Sequence, residues 1–526
     1  MQTDKRTQIL QKYTLLYKKH KGKAGYKELR SVGVSEKDVR YHFDNIQTLN
    51  REARKEKSDH FPDLVLEDLL KIKRELFAEK ELKGFKKFVI TTAVAGCLVS
   101  KSFLAGLRNF CKINKAKLII LVAADPAANV EWTIDKDLAD DFIVFKDIRL
   151  NSNLFLSSIK LSAKHIDPIT GLTRISQRMG STIFASPKQR LVVTPTSNKK
   201  IPSCLMGTGA ITLPNYSTDK YLSERTAYLA QEDHQLAALI IEIENENYFH
   251  FRQIQADKEG SFIDLGTQYH ANKTNKVLNN TLVLGDWHSQ SVDPAVLKCY
   301  REIGRKINFD KIIVHDLYDG KSLNPHELNN SILRAQRAES GELSLENEIK
   351  GVAKDLDILL TLGKELVIVA SNHDEFLFRY LKEGLYVKDP HNHRLCLEIA
   401  CKVMDGENAV KAAIEIVTKK KVSSKIRWLK RDEDYKIAGV QLAAHGDQGS
   451  GGSKGTLKGM ELAYNNCITG HTHVPQILRN AWCVGTSTYL RLSYNQGPSG
   501  WMNTCCTLYS NGSKQLINII DNKWKL

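Results

Sequence analysis

The stretch Ile312–Gly320, IIVHDLYDG, sets an apolar run directly against a histidine and two carboxylates. Ile312, Ile313 and Val314 read as a buried strand, yet His315, Asp316 and Asp319 follow at once. Ionisable groups at the end of a buried strand are costly unless something offsets their desolvation. Four other segments end the same way. TLVLGDWH (281–288) closes on Asp286 and His288, and ELVIVASNHDE (365–375) on Asn372, His373 and Asp374. GVQLAAHGD (439–447) closes on His445, and NCITGHTHV (466–474) on His471 and His473. In layered α/β folds, functional groups gather at the carboxyl ends of strands. Five such ends side by side would crowd carboxylates and imidazoles together, and divalent cations would relieve the repulsion. Asp, Asn and His without thiolate form a donor set suited to Mn²⁺, Mg²⁺, Fe or Zn²⁺.

The 526 residues exceed one hydrophobic core, so two or three domains are expected. A formal net charge of +16 favours an anionic partner such as nucleic acid. None of the ten cysteines forms a C-x-x-C pair, which suits a reducing compartment with no disulfide framework and no zinc knuckle. MQTDKRTQIL lacks an apolar signal region, and no segment approaches the roughly 18 apolar residues of a membrane span. The expectation is a soluble cytoplasmic protein without a membrane partner.

Three regions are expected. Residues 1–84 read as helical, and the first 40 contain eleven Lys or Arg against four Asp or Glu. Helices are predicted from about Arg6 to His20, around Tyr26 to Val32, and from Ser35, with Ser35 and Asp38 at capping-box spacing. Val34, Val39, Phe43 and Ile46 form an apolar face, while Lys37, Arg40, Tyr41 and Gln47 lie largely off it. Three short helices with a basic third resemble a helix-turn-helix module, with Lys37 and Arg40 as DNA contacts; the alternative is a small helical bundle with a solvated basic face. A charged helix over 63–83 is predicted to link onward. Residues 85–275 read as α/β, with strands at 87–92 and 117–123 around a helix at 101–114. Further strands are expected at 189–194, 236–243 and 249–255. This region shows no nucleotide-binding glycine motif, and its default role is a scaffold, binding or homo-oligomerisation domain. Residues 276–526 carry the chemistry.

The order D-x-H, D-x-x-D, N-H-D, H and G-H-x-H resembles the calcineurin-like metallophosphoesterase superfamily, over about 276–495. The resemblance implies a sandwich of two β-sheets flanked by helices, within an overall α/β (α+β) chain, and a two-metal site. It places Asp286, His288 and His473 on one ion, Asn372, His445 and His471 on the other, and Asp316 between them. His373 becomes the catalytic histidine that binds no metal, with Asp374 to orient it. Asp319 and Asp447 would support ligands from behind, and His315 would contact phosphate, support a ligand or fill space. Two ions about 3.5–4 Å apart would clamp a phosphoryl group and generate a bridging hydroxide nucleophile, with His373 stabilising the charged transition state or protonating the leaving oxygen.

In the common family form Gly precedes the bridging Asp, and Arg often follows the second Asp in phosphatases. Here those places hold His315 and Gly320. HDLYDG looks more like the G-D-L-F-D form of DNA-repair nucleases. Lys419–Lys421 and KIRWLKR (425–431) suggest a polymer substrate, with Lys425, Arg427, Trp428, Lys430 and Arg431 as nucleic-acid contacts; the alternative is a solvated face with Trp428 in the core. The glycine-rich HGDQGSGGSKG (445–455) lacks phosphate-loop spacing and reads as a mobile loop beside His445. His326, His391 and His393 read as surface or structural. GKSLNPHE (320–327) and the N-terminal module also resemble phage-encoded metallophosphoesterases described as DNases, which places the protein in a host cytoplasm. The expectation is a DNase using two divalent ions, with Mn²⁺ first among them. The alternatives are a phosphatase or cyclic-nucleotide phosphodiesterase, and a non-enzymatic DNA-binding protein that retains a metal site.

Overall fold

The structure is a computed structural model that describes residues 5–19, 25–43, 46, 49, 69–71, 79–123, 133–144, 146–159, 161–196, 201–216, 224–325, 327–492 and 495–525. It divides into two compact units, Met1–Asp68 and Leu69–Leu526. The first contains helices Lys5–Lys19, Tyr26–Ser31 and Glu36–Phe43. They close on a core of Ile9, Tyr13, Leu16, Leu29, Val34, Val39 and Phe43. The Ser35–Asp38 capping box forms: the Asp38 N–H donates to Ser35 Oγ, and the Ser35 N–H donates to Asp38 Oδ2, each at 3.1 Å. Gln47 and His326 lie outside the described residues.

The predicted helix over 63–83 is corrected where the chain is described. Leu69–Lys71 is a strand paired antiparallel with Thr133–Asp135, and Glu79–Leu82 is a 3₁₀ turn. Partners 64 residues downstream outweigh the local helical pattern there.

The site rests on a six-stranded sheet in the order Ile426–Trp428, Glu365–Ile368, Phe309–Val314, Asn280–Val283, Asn503–Leu508, Lys514–Ile519. The first four strands are parallel, Asn503–Leu508 runs antiparallel to them, and Lys514–Ile519 runs antiparallel to Asn503–Leu508. Strand alternation splits IIV between two cores. Ile312 and Val314 face the helices, in a core that includes residues of Pro294–Ile307, Leu345–Leu359 and Ala409–Thr418. Ile313, Val283 and Val367 share the other core with Leu191, Ile468, Ile477 and Trp482 of a second sheet.

That second sheet has ten strands and crosses the expected boundary at 275/276. Lys436–Ile437, Val440–Gln441, Cys467–Thr469, Ala481–Cys483 and Gln476–Leu478 make one half. Gln189–Thr194, Ser203–Thr208, Ser181–Phe184, Leu154–Leu156 and Ile148–Asn151 make the other. Leu191 opposes Ile477 at the seam, and Arg190 Nη1 donates to the Ile477 carbonyl at 2.7 Å. A separate five-stranded sheet contains the predicted strand–helix–strand unit: Lys87–Val94, helix Lys101–Asn114, and Lys117–Ala123 in parallel. Its inward residues Ile90, Leu121 and Leu239 join the same core as the two larger sheets. Its other face carries a separate core within residues 85–275, including Val89, Phe103, Leu107, Ile120 and Ile240, so that region shares one core with the larger sheets and keeps another of its own.

Candidate metal centre

The chain leaves the two central strands as a bonded pair. The Trp287 N–H donates to the His315 carbonyl at 2.9 Å, the His288 N–H to that of Asp316 at 2.7 Å, and the Ser289 N–H to that of Leu317 at 3.0 Å. His288, Asp316, His471 and His473 all adopt left-handed backbone, with φ of 47°, 47°, 75° and 57°. Such conformations cost about 1–3 kcal/mol each in non-glycine residues and cluster at functional sites. Gly470 lets the ligand loops close: a Cβ there would lie 2.1 Å from Asp286 Oδ1 and 3.1 Å from His315 Cβ.

Asp286, His288, Asp316 and His473 offer donor atoms that all lie within 4.8 Å of one another, and all four residues are buried. His473 Nε2 lies 3.1 Å from Asp286 Oδ2 and 2.9 Å from His288 Nε2. Asp316 Oδ2 lies 3.4 Å from His288 Nε2 and 3.3 Å from His445 Nε2. His445 Nε2 in turn lies 3.1 Å from Asn372 Oδ1. The His471 ring is 5.2 Å from that of His445. Seven residues expected as ligands thus form two groups that meet at Asp316.

The donor chemistry fits a cation. Asp319 Oδ1 lies 3.1 Å from His288 Nδ1, so that nitrogen carries the proton and Nε2 presents a lone pair inward. A second imidazole Nε2 faces it at 2.9 Å, and Asp286 Oδ1 and Asp316 Oδ1 are buried without hydrogen-bond partners. Lone pairs and orphaned carboxylate oxygens converging in a buried space are what a divalent ion satisfies.

The charges of the site are tightly interlocked. Burial alone would raise the Asp316 carboxyl, but His445, His373 and His288 hold it well below the usual range. Burial opposes the charged form of His445, yet Asp316 and Asp286 hold its imidazolium up to about 9. His315 goes the other way: burial and His445 push it down to about 4. It is fully buried, with Nδ1 3.4 Å from His445 Nδ1 and Nε2 unpartnered. It therefore sits behind a ligand as a neutral ring rather than out in the site.

Two expected roles change. Asp374 does not orient His373. Asp374 Oδ2 accepts from the Ser371 N–H at 3.3 Å, its Oδ1 is buried without a partner, and burial plus Asp316 push the carboxyl up to about 7. The partner of His373 is Asp319, whose backbone carbonyl lies 2.7 Å from Nδ1. Asp447 makes no hydrogen bond to His445 among the described residues and is instead gripped by Arg431 Nη1 and Nη2, at 2.7 and 2.9 Å.

The basic segment is also revised. Arg431 is bound by Asp447 and, at 2.6 Å, by Glu375. Trp428 is half-buried against the helix-side core, because it lies on the edge strand of the six-stranded sheet. Arg427 pairs with Glu433 and stacks 4.7 Å from the Tyr435 ring. Lys425 and Lys430 are exposed and make no ion pair among the described residues. Lys37 and Arg40 are exposed on their helix, with Arg40 held by Glu36 at 2.8 Å. The loop after His445 closes on itself, the Gly455 N–H donating to the Asp447 carbonyl at 2.8 Å.

Two residues at the site were missed in the sequence. Lys321 Nζ lies 3.5 Å from Asp319 Oδ2 and donates to Ser291 Oγ at 2.8 Å. Its signal was a cation directly after Gly320. Trp501 places its ring 4.1 Å from that of His473, edge to face, and nothing in its local sequence marks it.

Among the described residues no helix is long and apolar enough to cross a membrane. No protein-family model matches the chain. The chain is 26% identical to protein A1 of Escherichia phage T5 over 471 aligned residues, which cover 84% of each sequence. Among solved structures it is similar to Chaetomium thermophilum Vps29, at 9% identity and a TM-score of 0.20, over 36% of this chain and 95% of that one. A likeness that weak carries no argument about fold. What stands is a buried Asp/His group able to hold metal, in a mixed α/β chain similar to a phage protein.

Proposed function

We propose that the protein is a divalent-metal-dependent DNase of the metallophosphoesterase type, acting in the cytoplasm of a phage-infected host. The observation that carries this reading is the pair of ligand groups sharing Asp316, with two imidazole Nε2 atoms 2.9 Å apart and orphaned carboxylate oxygens beside them. Asp286, His288, Asp316 and His473 would hold one ion, and Asp316, Asn372, His445 and His471 the other. When bound, such ions supply charge neutralisation and Lewis acidity to a phosphodiester.

The chain's own residues do the rest. Asp319 fixes the tautomer of His288 through its carboxylate and that of His373 through its carbonyl. His373 Nδ1 is thus committed to donating, which leaves Nε2 to hold or deliver a proton at the leaving oxygen. Lys425, Lys430 and Lys37 support a polyanionic substrate by charge and exposure. Incubation with Mn²⁺ is expected to degrade DNA, and Asp316→Ala and His373→Ala to abolish it; robust cleavage by either variant would sink the assignment. Lys321 favours a second reading, a phosphomonoesterase, because its ammonium lies beside Asp319 where the arginine is missing. Turnover of a nitrophenyl monoester with no DNA cleavage would select it.

A further inference from the structure

A cavity of about 520 Å³ adjoins the ligand cluster, lined in part by Trp501, Met502, Tyr248, Arg491, Asp293 and Asp521. It lies at the same end of the six-stranded sheet as the ligands. Asn503, which begins one antiparallel strand, opposes Ile519 near the end of the other and donates through Nδ2 to the Thr486 carbonyl at 3.0 Å. Thr486 bridges to Asp286. The cavity and the centre share a wall: Trp501 meets the ring of His473, and the Met502 N–H donates to the His473 carbonyl at 3.2 Å.

The lining selects its occupant. The lining holds one cation, Arg491, and two carboxylates, Asp293 and Asp521, so the cavity does not suit a second phosphate. An indole, a phenol and a thioether suit an uncharged planar ring, and the carboxylates can accept from ring amino groups. The volume is that of a small-molecule site, with room for a base and its sugar, and excludes a duplex.

We propose that this cavity is a nucleobase subsite, which takes the base of the nucleotide whose phosphodiester lies at the metal centre. The proposal rests on the nuclease reading and adds the substrate class. A base enters only when unstacked from its neighbours, so the enzyme acts on single-stranded DNA or frayed ends in preference to intact duplex.

The test compares a single-stranded oligonucleotide with one carrying abasic residues around the scissile position, using the full chain and Mn²⁺. The wild type is expected to cleave the base-bearing strand at least tenfold better in kcat/KM. Trp501→Leu should lose that discrimination and Trp501→Phe should retain most of it. Tyr248→Leu repeats the test if Trp501→Leu folds poorly. Equal cleavage of both strands by the wild type, or full discrimination by Trp501→Leu, overturns the subsite. If the wild type cleaves no phosphodiester with any of Mn²⁺, Mg²⁺, Fe²⁺ or Zn²⁺, the nuclease reading fails on its own. Equilibrium dialysis then decides the subsite: deoxyadenosine monophosphate must bind the wild type more tightly than deoxyribose 5-phosphate does, and Trp501→Leu must erase the difference.

Discussion

The Nδ1 of His373 lies 2.7 Å from the backbone carbonyl of Asp319. The carboxylate of that same aspartate holds His288, so one residue sets the tautomer of a ligand and of the catalytic candidate by two different groups. Only one of those contacts depends on the side chain.

Asp319→Ala should therefore weaken Mn²⁺ binding by about 10–100-fold, the usual cost of removing a ligand's outer partner. Asp319→Asn should fall closer to wild type, since its amide oxygen still accepts from His288. His373→Ala should leave metal affinity within a few-fold and abolish hydrolysis. Titration calorimetry separates the three, and unchanged affinity in Asp319→Ala would refute the assignment.

Gly470→Ala places a methyl group 2.1 Å from Asp286 Oδ1. The expected result is loss of metal-induced thermal stabilisation with little change in helix content, read by scanning calorimetry and circular dichroism. A variant that still gains stability with Mn²⁺ would show that the ligand loops have slack there.

His315→Gly removes the ring that lies 3.4 Å from His445 Nδ1. One ion should still bind, at the Asp286 group, and the second should bind more weakly. Two unchanged binding events would mean that His315 merely fills space.

Arg431 and its lysine neighbours should respond differently. Arg431→Ala strips the bidentate partner from a half-buried carboxylate, so it should lower stability by about 1–3 kcal/mol. Joint replacement of Lys425 and Lys430 by Ala should leave stability unchanged and reduce the salt dependence of DNA binding. Fluorescence anisotropy across a salt series would find this, and an unchanged slope would exclude both lysines as phosphate contacts.

His234 donates from Nε2 to the Thr212 carbonyl at 2.7 Å and accepts from Tyr216 OH at 2.8 Å. Burial, against that carbonyl contact, pushes it from 6.5 down to about 4. The unfolded chain therefore takes up the proton first, and stability falls as pH drops from 6.5 towards 4, by at most about 1.4 kcal/mol per unit. His234→Gln should flatten that slope in urea titrations at pH 7 and pH 5; a parallel slope would contradict it.

The grouping of Asp286, His288, Asp316 and His473 was legible because each follows closely on a short apolar strand, and such strands show in sequence. The Ser35–Asp38 cap was legible because both partners lie within one turn. Long-range choices were not. Asp374 adjoins His373 in the chain, but the chain turns into a helix there and Asp319 reaches His373 from another strand end. Arg431 and Trp428 read as a surface grip because their partners, Glu375, Asp447 and the helix-side core, are fixed only by folding. The boundary at 275/276 followed the change in chemistry, whereas the sheet ignores it.

The seam at Leu191 and Ile477 also imposes a schedule on synthesis. Arg190 leaves the ribosome 287 residues before Ile477, about 15–60 s at 5–20 residues per second. Throughout that interval the strand Gln189–Thr194 lacks the neighbour that later covers one edge. An unpaired edge of that kind invites association with other chains. The half that carries the Asp/His cluster must therefore be synthesised as far as Ile477 before that edge is covered, and the two halves mature together.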